Sequence, residues 1–326
     1  MARTKTTDGR AAARPSRGPS GVLARIRARR GETTIRGTEL RTAFLFILPA
    51  FLVYAVFMLY PFINSIGLSF TDWNGATVAK KFVGFENYLE IPGDPDFITA
   101  FKNNLVWLVF GTVVPVAMGL FLALALWSKT RGSLLFRTLL FLPYVIPVVV
   151  IGLVWGWIYH PLYGIVNTIL ETVGLESLTR GWLGDPATAL PAVLIAAIWG
   201  AFGFVTVVIY AGLQNVDMGT VEAAEVDGAN WWQRARHVVI PQIAPVLTLV
   251  TAITLIGGFA VIDFIIVMTG GGPGNASEVM GSYAYERGFQ SNRVGYGAAL
   301  STFITLMTLV AAVIFVRLRE RRDDGG

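Results

Sequence analysis

The sequence predicts an all-α polytopic membrane protein, with six transmembrane helices and one short helix on the cytoplasmic face. Three observations carry the prediction. Of 326 residues, 54% are hydrophobic and only 14% are charged, whereas an ordinary soluble domain is about a quarter charged. The mean hydropathy is +0.60. Six windows, at 42–71, 103–128, 138–170, 187–216, 238–262 and 294–316, contain no Asp, Glu, Lys or Arg. Each exceeds the roughly 20 residues that a bilayer core requires. One such window is compatible with a buried soluble helix; six in one chain are not. Disorder is excluded, and the surface charge of a water-soluble enzyme is missing.

Trimming the windows places helices at 43–68, 104–127, 138–159, 190–213, 243–268 and 296–317. These bounds give a basic tail at 1–42, a six-helix domain at 43–317 and a second tail at 318–326. Residues 1–42 show no periodic apolar face and are expected to be disordered. Their basic stretch is too long for a signal peptide, so the first span is expected to stay in the membrane. With both termini cytoplasmic, 20 of the 26 Lys and Arg lie inside, as the positive-inside rule demands. The net charge of +5 is therefore a topology signal more than a sign of nucleic acid. Arg25, Arg27, Arg29 and Arg30 read as a juxtamembrane patch drawn to lipid headgroups.

Pro49, Pro61, Pro115, Pro143 and Pro147 fall within spans, where proline removes a backbone donor and kinks the helix. Gly152 and Gly156 form a small-xxx-small pair that permits close helix contact. Asp263 is the one acid well inside an apolar stretch. At roughly 30 Å along its helix it stands at the outer interface rather than mid-bilayer, which suits a residue tying down the following loop. A proton- or sodium-driven transporter thereby loses its best candidate. Without Cys, and with only His160 and His237 far apart in sequence, neither a disulfide framework nor a metal centre is expected.

Between spans four and five, residues 213–241 carry the most information. Asp217 or Thr220 caps a short helix reaching Glu225–Asp227, and Gly228 stops it. A second helical piece follows over 229–237, and Pro241 opens the fifth span. Ala223 and Ala224 allow close approach of a partner, Glu222, Glu225 and Asp227 supply charge, and Trp231 and Trp232 suit the headgroup layer. By physics alone this helix either presents an acidic, small-residue docking surface or merely anchors a loop.

The order Glu222-Ala223-Ala224, Asp227-Gly228-Ala229, Ile240-Pro241 resembles the EAA loop of binding-protein-dependent ABC transporter permeases, with Ile-Pro in place of the usual Leu-Pro. Phe136-Arg137-Thr138, Leu142-Pro143, Ile146-Pro147, Trp155, Gly164 and Asn167 are similar to the third-span region of the carbohydrate-type permeases. So are Ala211 to Gln214, Thr269 to Pro273 and Phe82 to Tyr88. The likeness is to the maltose- and glycerol-phosphate-type first permease subunit. Only residues 72–101 stand where the maltose-type permease has a large external insertion, so no separate outer domain is expected.

The resemblance implies half of a transmembrane pathway in a bacterial cell membrane, moving a carbohydrate-class solute. It implies a second permease, commonly a different chain, two cytoplasmic ATPase subunits and an extracytoplasmic solute-binding protein. Glu222, Ala223, Ala224, Asp227, Gly228 and Pro241 would couple to the ATPases. ATP would be bound by those partners, leaving this chain no cofactor, no metal and no catalytic residue. No phosphate loop G-x-x-x-x-G-K-[ST], H-E-x-x-H or G-x-S-x-G motif occurs. The competing reading is an ion-coupled secondary transporter. A sugar route calls for aromatic and hydroxyl groups at mid-depth. Trp199, Phe204, Thr206 and Thr254 are the candidates, although packing or lipid contact explains each as well.

Overall fold

A computed structural model describes residues 37–127 and 133–323. The tail expected at 1–42 lies outside the described residues except for 37–42. Among the described residues the regular structure is helical, apart from one antiparallel bridge between Thr71 and Phe82. The chain divides after Phe62.

The first unit contributes α1 (Gly37–Tyr54), which holds Pro49, and a π-helical turn (Ala55–Leu59). The turn closes with Tyr60 N–H on Ala55 O. It stands two residues before Pro61, whose missing N–H cannot serve the carbonyl four residues back. The same device recurs before Pro241, where the π turn Ala235–Val239 closes with Ile240 N–H on Ala235 O. Of the expected kinks, the one at Pro61 thus becomes a wide turn, while Pro49 and Pro115 stay inside helices.

Helix α2 (Tyr60–Leu68), within which the division falls, ends the first span, and in the second unit α3 (Glu86–Glu90) follows a short connecting segment. The long α4 (Pro95–Trp127) starts nine residues before the expected 104. Asp94 caps it, its Oδ1 accepting from Asp96 N at 3.1 Å, and Pro95 occupies a first-turn position where it loses nothing.

The third span is a broken pair, not one helix over 138–159. Helix α5 (Ser133–Val145) and α6 (Val148–Ile158) meet at 96°. Pro147 stands extended between them (φ −55°, ψ 137°) and disfavours helix at Ile146. Pro143 stays inside α5. After α7 (Ile165–Thr172) comes α8 (Ala189–Leu213), the central helix.

Helix α9 (Met218–Val226), α10 (Trp231–Arg234) and α11 (Ile240–Gln242) form the connection to the fifth span. That span, α12 (Ala244–Phe259), bends 73° from the preceding helix and ends nine residues before the expected 268. The Gly257–Gly258 pair weakens the helix there, and Ala260 N–H closes tightly on Gly257 O at 3.2 Å. Asp263 therefore opens a separate helix, α13 (Asp263–Met268). It does not tie down the next loop: Asn103 does, donating to Ala276 O at 3.0 Å and Glu278 O at 2.8 Å, with Thr269 and Ser277 bonded at 2.8 Å. Then follow α14 (Met280–Tyr285) and α15 (Val294–Asp323), which runs past the expected 317.

Among the described residues four helices are long and apolar enough to cross a membrane, Thr42–Leu68, Pro95–Trp127, Ala189–Leu213 and Val294–Arg319. Six spans result when each of the two bent pairs counts as one.

Helix α8 packs along α4, α5 and α12. Three apolar clusters hold the bundle. One, around Phe97, Met280 and Leu300, gathers α4, α14 and α15; another, around Trp107, Val193 and Ile265, gathers α4, α8 and α13. The third joins Leu124, Ile209, Val221, Val239 and Val250, so the short α9 roots in the same core as the spans. Burying a Val or Leu side chain contributes about 1.5–3 kcal/mol, so Val221 is one anchor of α9.

Candidate functional site

Helix α9 is defined at both ends by its own sequence. Asp217 caps it, Oδ1 accepting from Gly219 N at 2.9 Å; Thr220 lies inside the first turn. At the other end Gly228 N–H bonds Glu225 O at 3.0 Å and Ala229 N–H bonds Ala224 O at 2.9 Å. This paired closure is a Schellman stop and requires a left-handed residue, which Gly228 supplies with φ +82°. Asn230 and Gln233 then form a capping box that starts α10 directly.

Val221 faces the core, while Glu222, Ala223, Glu225 and Asp227 are exposed. The acidic, small-residue surface expected from the sequence is therefore presented outward. Ala224 is half-buried. Glu225 pairs with Arg234, bracing α9 against α10. Pro241 sits in α11, just past the π turn.

Sequence reasoning missed Gln242. Its Oε1 accepts from Asp217 N at 2.9 Å and its Nε2 donates to Thr220 Oγ1 at 2.9 Å, clamping the start of α9 to the root of the fifth span. The only sequence signal was a polar residue directly after the Ile-Pro pair. Changing Gln242 to Leu is expected to speed amide hydrogen exchange at Asp217–Gly219 while costing at most about 1 kcal/mol of global stability, because these groups are exposed and water replaces the lost partners.

The four pathway candidates do not share one place. Phe204 and Thr254 line a cavity of about 270 Å³ with Trp107, Tyr144 and Phe264. The Phe204 ring stacks on Tyr144 with centroids 4.6 Å apart, and Thr254 Oγ1 donates to Val250 O at 3.0 Å. Thr206 is fully buried where α8 meets Gly119 of α4, its hydroxyl donating to Phe202 O at 2.8 Å. Trp199 meets Trp155 edge-on at 6.0 Å.

At the opposite end of the bundle a polar network ties loops to helices. Asp94 accepts from the hydroxyls of Tyr283 and Tyr296, and Arg287 pairs with Asp96 at 3.0 Å. Burial pushes the Asp94 carboxyl up, but hydrogen bonds from both tyrosines and from the Phe97 and Asp96 backbone bring it below the usual range. Glu278 is the exception: it is 5% exposed and its Oε1 has no hydrogen-bond partner. Burial pushes its carboxyl above the usual range; Ser282 opposes this, while Glu286 and Asp96 reinforce it against Arg287. A raised folded-state pKa means the folded protein binds the proton more tightly. That stabilisation is complete below the unfolded pKa and is lost as pH rises through the folded value. Thermal unfolding across that window is expected to show falling stability, and Glu278→Gln is expected to flatten the slope.

A profile of the family described as binding-protein-dependent transport system inner membrane component matches residues 115–323. The chain belongs to this family. It is an integral membrane protein of the ABC transporter permeases, and the ion-coupled alternative is set aside. It is 36% identical over 273 residues to the probable ABC transporter permease YurN of Bacillus subtilis, covering 83% of this chain and 93% of that one. It is 31% identical over 325 residues to the diacetylchitobiose uptake permease NgcF of Streptomyces coelicolor, covering 95% and 90%. The fold matches a chain of a bacterial alginate ABC transporter, crystallised in complex with its alginate pentasaccharide-bound periplasmic protein, with TM-score 0.76, 23% identity and coverage of 86% and 94%.

Proposed function

We propose that this permease carries a carbohydrate-class solute into the cell, driven through α9 by ATP hydrolysis on separate subunits. The observation that carries the reading is α9 itself. It is rooted in the transmembrane core by Val221, clamped by Gln242 and stopped by Gly228, with Glu222 and Ala223 facing outward. A short rigid helix of this kind transmits a push without chemistry of its own. Glu222, Ala223, Ala224, Asp227, Gly228 and Pro241 are its coupling residues.

In this reading the chain pairs with a second, different permease, two ATPase subunits and an extracytoplasmic binding protein. It holds no cofactor, catalyses no reaction, and keeps both termini in the cytoplasm. The carbohydrate class draws support from relatives such as NgcF, named for diacetylchitobiose uptake, and from the aromatic wall of the Phe204–Thr254 cavity. Sugar rings stack on such walls, but their hydroxyls need polar partners. The Thr254 hydroxyl is already bonded to its own helix, so the facing permease supplies most of those partners.

The test is uptake of a labelled disaccharide by proteoliposomes holding the complete assembly and its loaded binding protein. Uptake is expected to need ATP and to stop when the ATPase is inactivated. Uptake driven by an ion gradient alone overturns the reading.

A further inference from the structure

The segment between α6 and α8 lies at the end of the bundle away from α9, since the 25 residues of α8 separate them by about 37 Å at 1.5 Å per residue. Asn167 closes this segment on itself. Its Nδ2 donates to Pro161 O at 3.1 Å and Arg180 O at 3.0 Å, and its Oδ1 accepts from Trp182 Nε1 at 2.8 Å. Asn167 is buried at 4% exposure, so the apolar side of α7 turns outward: Ile165 is 56% exposed and Ile169 54%. A helix that buries its amide and shows its isoleucines is built for lipid rather than water.

Beside it lies a cavity of about 320 Å³ walled by Trp155, Tyr159, Val166, Trp182 and Ile195. Three of its four polar side chains are spoken for: Tyr159 OH donates to Ala192 O at 3.2 Å, Trp182 Nε1 to Asn167, and Thr188 Oγ1 to Trp182 O at 2.8 Å, which leaves the Trp155 indole N–H as the remaining donor. A sugar entering here would leave most of its hydroxyls unpaired, and each buried hydroxyl without a partner weakens binding; a methylene chain has none to satisfy. The Arg180 guanidinium sits 5.9 Å from the centre of the Trp182 ring that forms one wall. Its Nη1 stands 3.8 Å from Asp185 Oδ2, beyond hydrogen-bond reach, with both side chains nearly two-fifths exposed. A cation and a carboxylate so placed match the phosphate and ammonium of a zwitterionic headgroup.

We propose that this cavity holds one acyl chain of a phosphatidylethanolamine, with the lipid phosphate on Arg180 and its ammonium at Asp185. The site is independent of the solute carried. It makes α7 and its neighbouring turns a lipid-anchored foot on the bundle.

The assembled transporter, stripped of lipid and incubated with phosphatidylethanolamine or phosphatidylglycerol vesicles, tests this by native mass spectrometry. The wild type is expected to retain one phosphatidylethanolamine per chain and to retain phosphatidylglycerol less. Arg180→Gln, an exposed change that leaves the fold intact, is expected to lower that occupancy about fivefold. Val166→Trp, which fills the cavity, is expected to abolish it. Equal occupancy in wild type and Arg180→Gln, equal retention of both lipids, no retained lipid in the wild type, or a cross-link from Ile195 to a partner permease each overturns the proposal.

Discussion

Replacing Gly228 with valine is expected to uncouple transport from ATP hydrolysis while leaving the protein folded and in the membrane. The reason is conformational rather than steric. A Cβ at Gly228 meets nothing within 4 Å, but φ is +82°, a region that L-residues avoid. The left-handed conformation costs roughly 1–2 kcal/mol for an ordinary residue and more for a β-branched one. The chain relieves that strain by opening the Schellman turn. The Ala224 and Glu225 carbonyls lose their partners, and the end of α9 shifts against Asn230. The bundle is not at risk, because Gly228 is exposed and belongs to none of its clusters, and Val221 stays rooted. Binding-protein-stimulated ATPase activity is expected to fall about tenfold, the equivalent of 1.4 kcal/mol. Asparagine tolerates the left-handed region, so Gly228→Asn is expected to retain most of the activity. Full stimulation in the valine variant, or equal loss in both, would show that the turn geometry does not matter.

That turn was legible because everything it needs is local. Asp217 and Gly228 each act on backbone groups no more than a few positions away; the Asn230–Gln233 box is just as local but went unread. The spans were legible for a different reason: charge is excluded from them wholesale. What the sequence concealed depends on partners far along the chain. Asn103 reaches Ala276 across 173 positions, and Arg293 reaches Glu90 across 203. Gln242 reads as one more polar residue until the chain folds back over 25 positions to bring Asp217 onto it. Proline was ambiguous in another way. Pro143 and Pro147 are the same residue type four positions apart, yet one is absorbed within α5 and the other ends it. Local propensity lowers the cost of a break at both; packing of α5 and α6 selects one. Phe204 and Thr254 share a cavity while Thr206, two positions from Phe204, is sealed in a seam, because helix rotation is fixed only by contacts.

Close helix approach is where motif and geometry part most clearly, and it yields the second large effect. Of the small-xxx-small pair, only Gly152 touches a neighbour: a Cβ there would stand 2.5 Å from Val267, whereas Gly156 has nothing within 4 Å. The tightest seam between spans is at Gly203, where a Cβ would lie 1.8 Å from Leu140 O and 2.7 Å from Leu140 C. Those are backbone atoms of α5, so no side chain can rotate away. Gly203→Ala must push α5 off α8 or unwind one of them, at a cost of about 3 kcal/mol or more. That is a large part of a typical margin of roughly 5–15 kcal/mol. Gly203→Ala is expected to lower both the yield of assembled complex and its thermal midpoint sharply. Gly156→Ala removes the helix penalty of glycine, about 1 kcal/mol, and meets no obstacle, so it is expected to be neutral or mildly stabilising. If the two variants unfolded at the same temperature, α5 and α8 would not be in backbone contact, and the bend that carries α6 away from α5 would lose its support.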